Sequence, residues 1–255
     1  MLSPPQFTTM DYSKTKPLSY SSIKEFAQSP AHFMAYQNRD KKPTSAMELG
    51  TAIHMLVLEE EKFEKEYNMC NSRRNTNIYK EELAKGKKLL NQNEWTTAHK
   101  IKEAIKVHPL ASELVGGADR YESEIIKEIQ GVPFRGFLDI HGTNYIADLK
   151  TCKNGSPSEF QRSCYNFKYY LQAAVYSELT GIKDFWIITA ETSAPYCITP
   201  YKISSAYMLK GRQELYKIIE AYKKWMEEDE CRIGGYDYLL GSESFFTLEA
   251  PNWAK

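Results

Sequence analysis

The amino-acid sequence predicts an α/β (α+β) fold in which helices flank a central mixed β-sheet. Three observations support this fold class. Apolar residues recur with helical spacing through the first part of the chain, up to residue 115. From residue 121 the pattern changes to short apolar or alternating segments separated by turn residues, which is typical of β-strands. A helix, two more strands and a long amphipathic helix then follow, up to residue 230.

The first part of the chain is expected to be helical after a flexible arm at residues 1–16, which has no periodicity. Ser22 and Glu25 have the spacing of a capping box, which predicts a helix start in LSYSSIKEF. Pro30 has the position of a first-turn proline in a second short helix. Further helices are predicted over 44–60 and 79–106, with a polar loop at 70–78 between them.

The second part of the chain is expected to contain the sheet. YESEIIKEIQ, VPFRGFLDI and NYIADLKT predict three antiparallel strands, with turns at Gly131 and at 141–144. YNFKYYLQAAVYSELTG predicts a helix that ends at Gly181. Two strands, DFWIITAET and APYCITPYKI, and a helix over 204–230 follow. A chain of 255 residues suits one domain, with a helical part at 17–115 and the sheet with its helices at 116–255.

Composition excludes several classes of protein. The longest apolar runs are shorter than the roughly 18–20 residues of a membrane span, and the N-terminus lacks the features of a signal peptide, so a cytoplasmic protein without a membrane partner is expected. Five scattered cysteines without a CxxC pair argue against a disulfide framework or a metal–thiolate cluster. The 33 basic and 33 acidic residues balance, which argues mildly against DNA binding but does not exclude it, because binding depends on local potential.

The segment IADLKT places a carboxylate and an ammonium two residues apart, at Asp148 and Lys150. In a strand these side chains share one face. One interpretation is a surface ion pair; the other is a metal site with a catalytic lysine beside it. Asp139 at the end of the preceding strand favours the metal site, because Mg²⁺ prefers oxygen ligands. Gly136, which permits close packing, and a following helix also favour it.

These residues carry a resemblance to a known superfamily. GFLD and DLKT followed by YYLQAAVY resemble the RecB-like branch of the PD-(D/E)XK nucleases, which have a restriction-endonuclease-like core. The Q-x-x-x-Y pattern of that branch is matched by Gln172 and Tyr176. Within the branch, GTAIHMLVLEEEKFEKEY with His54, the opening LSYSSIKEFAQSPAHF and the ending LEAPNWAK are similar to the exonuclease VIII (RecE) family of phage recombination systems. The resemblance spans nearly the whole chain and implies a single PD-(D/E)XK exonuclease domain at 17–255.

The resemblance implies a role for each site residue. Asp139 and Asp148 would bind Mg²⁺, or Mn²⁺ in its place, together with the Leu149 carbonyl, and Lys150 would be catalytic. His54 would be a ligand of the metal or its close neighbour. Residues expected to support the site from behind are Thr151, Gln172 and Tyr176, with Glu124 as an outer carboxylate; a purely packing role for Tyr176 is an equal alternative. Ser29 stands where related nucleases have an iron–sulfur cysteine, so no iron–sulfur cluster is expected.

The resemblance also implies a function. A Mg²⁺-dependent exonuclease would act on double-stranded DNA ends in the 5′ to 3′ direction and leave a 3′ single strand for a RecT-like annealing protein. A homo-oligomeric ring could direct basic residues inward to DNA, which would reconcile DNA binding with zero net charge. The alternatives are a nuclease of the same fold with other polarity or endonucleolytic action, and a catalytically silent DNA-end-binding module. The intact set His54, Asp139, Asp148 and Lys150 argues against the silent module.

Overall fold

The computed structural model describes residues 16–40, 42–72 and 76–227. Nearly all of the predicted N-terminal arm, the last residues of the predicted final helix (228–230) and the segment LEAPNWAK lie outside these ranges. Within the described residues, no helix has both the length and the apolar character needed to cross a membrane.

The first part of the described chain is mainly helical, as the sequence predicts. It contains one very small parallel sheet, which the sequence analysis missed. Its helices are α1 (Tyr20–Phe26), α2 (Pro30–Asn38), α3 (Ser45–Leu58), α4 (Glu60–Glu66), α5 (Asn77–Ala84), α6 (Gln92–Val107) and α7 (Pro109–Gly116), and its two strands are β1 (Tyr67–Met69) and β2 (Lys88–Leu90).

The predicted capping box is wrong by one helical turn. The N-cap of α1 is Ser19, whose hydroxyl accepts a hydrogen bond from the Ser22 backbone N–H at 3.2 Å. The Ser22 hydroxyl in turn accepts one from the Ser19 backbone N–H at 2.8 Å. Ser22 is therefore the third residue inside the helix, where a serine performs the return contact more often made by Glu or Gln.

The single helix predicted over 79–106 is also wrong. Its first part is α5, and the chain leaves helical geometry at Gly86, which has a φ of 81°. Strand β2 follows, and α6 begins after Asn91, whose side chain caps the new helix together with Glu94. The periodicity of the segment concealed this break because both helices are amphipathic.

The main sheet is five-stranded and mixed, which confirms the predicted fold class. Strand β5 pairs with β6 in parallel, and the other neighbours are antiparallel. The strands are β3 (Arg120–Ile129), β4 (Val132–His141), β5 (Tyr145–Cys152), β6 (Asp184–Glu191) and β7 (Ile198–Lys202), and they lie side by side in this order.

Parallel neighbours need a long crossover connection, and two helices provide it between β5 and β6. They are α8 (Pro157–Asn166) and α9 (Tyr169–Thr180). The sequence predicts one helix here, but Lys168, with a φ of 57°, separates α8 from α9. Gly181, with a φ of 83°, ends α9 as predicted. The final helix, α10 (Ser205–Glu227), packs against α9.

Buried side chains form one core on each face of the sheet. Helices α1, α2, α9 and α10 cover the first face, where Phe26, Phe134 and Leu215 are buried. Helices α3, α6 and α7 cover the second face, around Ile53 and Ile101. The sheet is therefore enclosed between two helical layers, and a polar group on a central strand is removed from bulk water unless a cleft reaches it.

Gly136 on β4 permits the close approach that the sequence predicts. A Cβ atom at this position would lie 2.9 Å from Leu179 Cδ1 and 3.1 Å from Tyr176 Cε1, both on α9. The missing side chain thus lets α9, which carries Gln172, pack tightly on the sheet beside the aspartate strands.

Candidate active site

Strands β4 and β5 separate at the two aspartates. They are paired only at Ile140–Ala147 and His141–Ile146. Continuing the same register by one residue places Asp139 opposite Asp148, where the backbone pairing has ended. The Asp139 carboxylate enters this gap and accepts a hydrogen bond of 2.8 Å from the Leu149 backbone N–H. The divergence of the strands leaves a gap at Asp139, which lines the pocket there, with buried Asp148 behind it.

A third carboxylate, Glu122 on β3, lies on the other side of Asp139. Glu122, Asp139 and Asp148 thus form a row of carboxylates across three neighbouring strands, called the carboxylate row below. Tyr121 pairs with Ile140 and Ser123 pairs with Leu138, so Glu122 lies opposite Asp139. Glu122 has a φ of 45°, and it is not paired with β4 although both of its neighbours are. A non-glycine residue held in this region costs free energy and is common at functional sites. One ligand atom each from Glu122, Asp139 and His54 lies within 4.8 Å of the others.

His54 reaches the row from α3, on the second face of the sheet. Its Nδ1 lies 3.4 Å from Asp139 Oδ2, and its ring is hydrogen-bonded to the backbone of Leu149. Burial lowers the pKa of His54 to about 4, outweighing the opposite effect of Asp148. The imidazole is therefore neutral at neutral pH, which is the form that binds metal ions.

Gly50 explains how α3 comes so close to β5. A Cβ atom at Gly50 would lie 3.2 Å from Thr151 Oγ1. The next turn of the same helix carries His54, so close packing at Gly50 places the imidazole over the carboxylate row.

Asp148 and Lys150 form a buried ion pair, as their shared strand face predicts. Lys150 Nζ lies 2.5 Å from Asp148 Oδ2, and the Asp148 side chain is only 2% exposed. The other oxygen, Oδ1, accepts a hydrogen bond of 2.7 Å from Gln172 Nε2 on α9. Burial alone would lower the pKa of Lys150, but Asp148 and Asp139 outweigh it and raise the pKa above its ordinary value. Lys150 therefore stays charged.

The row has an excess of negative charge. Burial, followed by the charge of Asp148, raises the pKa of Asp139 well above its ordinary value. Burial, followed by the charge of Glu59, also raises the pKa of Glu122. A positive charge placed between these carboxylates would lower their mutual repulsion. The site therefore favours a cation in addition to Lys150.

The donor atoms fit a small, hard cation. Mg²⁺ takes oxygen ligands at about 2.1 Å in an octahedral arrangement. One ligand atom each from His54, Glu122 and Asp139 lies within 4.8 Å of the others, so the three side chains can face a single ion. Asp148 Oδ2 already faces the Lys150 ammonium at 2.5 Å, so a metal bound by this carboxylate would share the oxygen with Lys150.

Comparison with known proteins identifies the family of the chain. A family model described as a PDDEXK-like domain of unknown function, DUF3799, matches residues 19–238. The chain belongs to this family. The predicted PD-(D/E)XK relationship is thereby confirmed, and the narrower resemblance to exonuclease VIII stays a prediction. No curated protein shows significant sequence similarity to the chain.

One solved structure has a fold similar to that of this chain. A candidate exonuclease from Eubacterium rectale has a TM-score of 0.60 at 16% identity, covering 98% of this chain and 96% of its own. A phage-related exonuclease from Haemophilus somnus 129PT has a TM-score of 0.41 at 15% identity, covering 85% of this chain and 97% of its own. The first match supports the fold, and the second is too weak to support a structural argument.

The remaining predicted residues of the PDDEXK-like site differ in how directly they reach it. Thr151 lines the cleft. Gln172 contacts Asp148, whereas buried Tyr176 lies beside Gln172 and packs against Gly136. Both a packing role and an indirect role for Tyr176 are therefore compatible with its position.

Glu124 does not lie in the cleft. Its exposed carboxylate is 3.7 Å from Arg135 Nη1, and the structure brings Glu122 to the site instead. The two residues are only two positions apart on β3. The strand register and the positive φ of Glu122 distinguish them, and neither can be read from the local sequence.

The carboxylate row opens into a cleft of about 760 Å³. Sequence reasoning missed Tyr169, whose ring centroid lies 5.1 Å from Lys150 Nζ. The spacing of three residues between Tyr169 and Gln172 was the signal that could have found it, because such residues share a helix face. Glu59 and Lys62 also line the cleft and had no comparable signal, since they depend on how α3 and α4 pack on the sheet.

Proposed function

We propose that this protein is a Mg²⁺-dependent exonuclease that degrades double-stranded DNA from its ends. The observation that supports the proposal is the meeting of Asp139, Lys150 and His54 in one open cleft, where two central strands separate and buried Asp148 pairs with Lys150. A surface ion pair, the alternative interpretation of the D-x-K segment, does not account for a buried Asp148 or for a row of three carboxylates.

The metal would be held by Asp139, Asp148, His54 and the Leu149 carbonyl, with Glu122 facing the same point. Bound Mg²⁺ would lower the pKa of a water molecule and stabilise the leaving oxygen of a phosphodiester; Mn²⁺, which also accepts oxygen ligands, is expected to substitute. His54 is already neutral and does not need to lose a proton to bind the metal.

Lys150 has the properties of the catalytic lysine. Its ammonium stays protonated in the cleft and can donate to the oxygens of the scissile phosphate, where negative charge increases during hydrolysis. Gln172 holds Asp148 through Oδ1 and leaves Oδ2 directed toward Lys150. The amide thus orients the carboxylate, and Thr151 and Tyr176 support the site from adjacent positions.

Action at DNA ends is proposed from the resemblance to the exonuclease VIII family. The protein would remove nucleotides in the 5′ to 3′ direction and leave a 3′ single strand for a RecT-like annealing protein. A ring of several copies would encircle the duplex, so that several weak contacts add together on one DNA molecule. This arrangement suits a chain whose net charge is zero.

One experiment separates the proposal from its alternatives. Linear duplex labelled at the 5′ or the 3′ end is incubated with the protein and Mg²⁺, beside a covalently closed circle and a chelator control. The proposal predicts early release of the 5′ label, an intact circle and no reaction with chelator. Cleavage of the circle would indicate an endonuclease, early release of the 3′ label the opposite polarity, and binding without hydrolysis a silent module.

The solution mass tests the ring separately. An oligomer with an intact circle agrees with threading onto an end. A monomer that degrades circles as fast as linear DNA would contradict both end dependence and the ring.

A further inference from the structure

A second surface with features of a nucleic-acid site lies outside the cleft. It is an open groove of about 1,020 Å³ between α8 and the first turns of α10. Tyr165, at the end of α8, lines the groove and is 58% exposed. Phe167, two residues later, is 52% exposed. Other side chains along the groove are Gln161, Arg162, Asn166, Tyr207 and Lys210.

Positive charge lies directly beside the exposed ring of Tyr165. Lys210 Nζ is 5.9 Å from its centroid and 5.3 Å from the centroid of Tyr170. Across residues 16–40, 42–72 and 76–227, Lys210 forms no ion pair with a carboxylate. Arg162 is also exposed and pairs with Glu159 at 3.0 Å. The groove therefore offers an unneutralised ammonium next to an aromatic face.

The segment that carries the exposed rings of Tyr165 and Phe167 is fixed by contacts with buried parts of the fold. Tyr165 stacks on buried Tyr170, with ring centroids 6.2 Å apart and an interplanar angle of 27°. The Phe167 carbonyl accepts a hydrogen bond from the Tyr20 hydroxyl. Lys168, which turns the chain between the two helices, forms an ion pair with Glu214 on α10. Two large rings are therefore presented to solvent on an ordered turn, although rings that are more than half exposed gain less from the hydrophobic effect than buried ones.

Aromatic rings also lie between the cleft and the turn beside the groove. The Phe167 ring lies 5.7 Å from the ring of Tyr169. Tyr169 lines the active-site cleft, 5.1 Å from Lys150 Nζ. Tyr169 and Phe167 thus lead from the catalytic lysine to the turn after α8, and Tyr165, two residues before Phe167, lines the groove.

We propose that single-stranded DNA follows this path, stacking its bases on Phe167 and Tyr165 while Lys210 binds its phosphates. Aromatic rings beside basic residues bind unpaired bases, whose faces are hidden in a duplex. The path rests on the proposed nuclease function, and it adds that the protein separates the strands at the DNA end and holds one of them beyond the cleft. Because the groove carries cations and aromatic rings, the polyanionic strand is its complementary ligand.

The test uses the full chain in chelator, so that no cleavage occurs. Fluorescence anisotropy measures binding of labelled oligothymidylate and of an abasic strand of equal length at several salt concentrations. Tyr165→Ala should weaken oligothymidylate binding about tenfold, since each base stacked on an aromatic ring contributes measurably to affinity. Tyr165→Phe should bind as the wild type does, because it keeps the ring. Lys210→Ala should reduce the slope of log affinity against log salt by about 0.7.

The controls are exposed residues of the same types on other surfaces, Tyr121→Ala on β3 and Lys106→Ala on α6, and both should leave binding unchanged. Equal affinity for the abasic strand, or wild-type binding by Tyr165→Ala, would overturn the stacking proposal. The same loss of affinity for blunt duplex would overturn its preference for single strands.

Failure of the nuclease proposal would look different. In that case Mg²⁺ would support no hydrolysis, while base-dependent binding in chelator would persist and still disappear in Tyr165→Ala.

Discussion

Replacing Lys150 with alanine should lower the stability of the protein and abolish cleavage. A bound metal ion should restore the stability but not the cleavage. The substitution removes the cation that faces Asp148, whose side chain is 2% exposed, and it leaves Asp139 and Glu122 beside an unpaired carboxylate. The metal-free protein should therefore lose stability. Cleavage should also disappear, because the charge that faces the phosphate is gone. A bound cation can neutralise the carboxylates in place of Lys150, but it does not replace the ammonium that faces the phosphate.

The size of the stability loss follows from burial. Removing one partner of a buried ion pair costs about 3–5 kcal/mol. Because the Lys150 side chain is 23% exposed, solvent screens part of this interaction, and the lower end, about 3 kcal/mol, applies. For a domain of this size that corresponds to a fall in Tm of about 6–12 °C. Calcium at about 100 times its Kd would return about 2.7 kcal/mol, nearly the whole loss.

The assay is thermal unfolding followed by circular dichroism, in chelator and in calcium. Lys62→Ala is the matched control, because Lys62 lines the same cleft but is 49% exposed in its ion pair with Glu59. An exposed pair contributes less than about 1 kcal/mol, so this variant should change Tm little.

The comparison of the two variants tests whether Asp148 is buried and depends on Lys150. If Lys150→Ala lowers Tm no more than Lys62→Ala does, Asp148 is not a buried carboxylate that depends on Lys150. If calcium leaves the Tm of Lys150→Ala unchanged, the carboxylates do not form a metal site.

Three further predictions follow from the site and its packing. Glu122→Gln should weaken calcium binding about tenfold in calorimetry, while Glu124→Gln leaves it unchanged, and equal effects would exclude Glu122 from the metal site. Because burial and Asp148 raise the pKa of Asp139, the metal-free carboxyl keeps its proton to higher pH. Calcium binding should therefore release protons and weaken as the pH falls, and heats that do not depend on the buffer would contradict this. Gly136→Ala should destabilise the protein by about 1–3 kcal/mol in urea unfolding, because the new methyl would contact α9, and an unchanged midpoint would contradict the close packing.

Local spacing accounts for the features of the site that the sequence predicted. Asp148 and Lys150 are two residues apart on one strand and share a face, and the structure places them 2.5 Å from each other. Gln172 is on a helix whose approach depends on Gly136, and both features were visible in the sequence. Such relations depend only on the period of a strand or helix.

Features that depend on distant contacts were not predicted. Glu122 lies opposite Asp139 through the register of two strands, and its unusual backbone angle gives no sequence signal in a glutamate. The break at Lys168 occurs at a residue that does not favour positive φ, and the ion pair with Glu214 on α10 accompanies it. Tertiary contacts outweigh local preference at both positions.

The most direct test of the metal-dependent site compares wild type with Asp148→Asn on end-labelled duplex in Mg²⁺. Asparagine keeps the shape of the side chain and can still accept a hydrogen bond from Gln172, so the fold should remain intact, which circular dichroism checks. The variant loses the charge that holds the metal, and a metal ion contributes several kcal/mol to transition-state stabilisation. Each 1.36 kcal/mol corresponds to about tenfold in rate, so cleavage should fall by about 100-fold or more. A folded Asp148→Asn protein that cuts DNA within about tenfold of the wild-type rate would contradict the proposed mechanism.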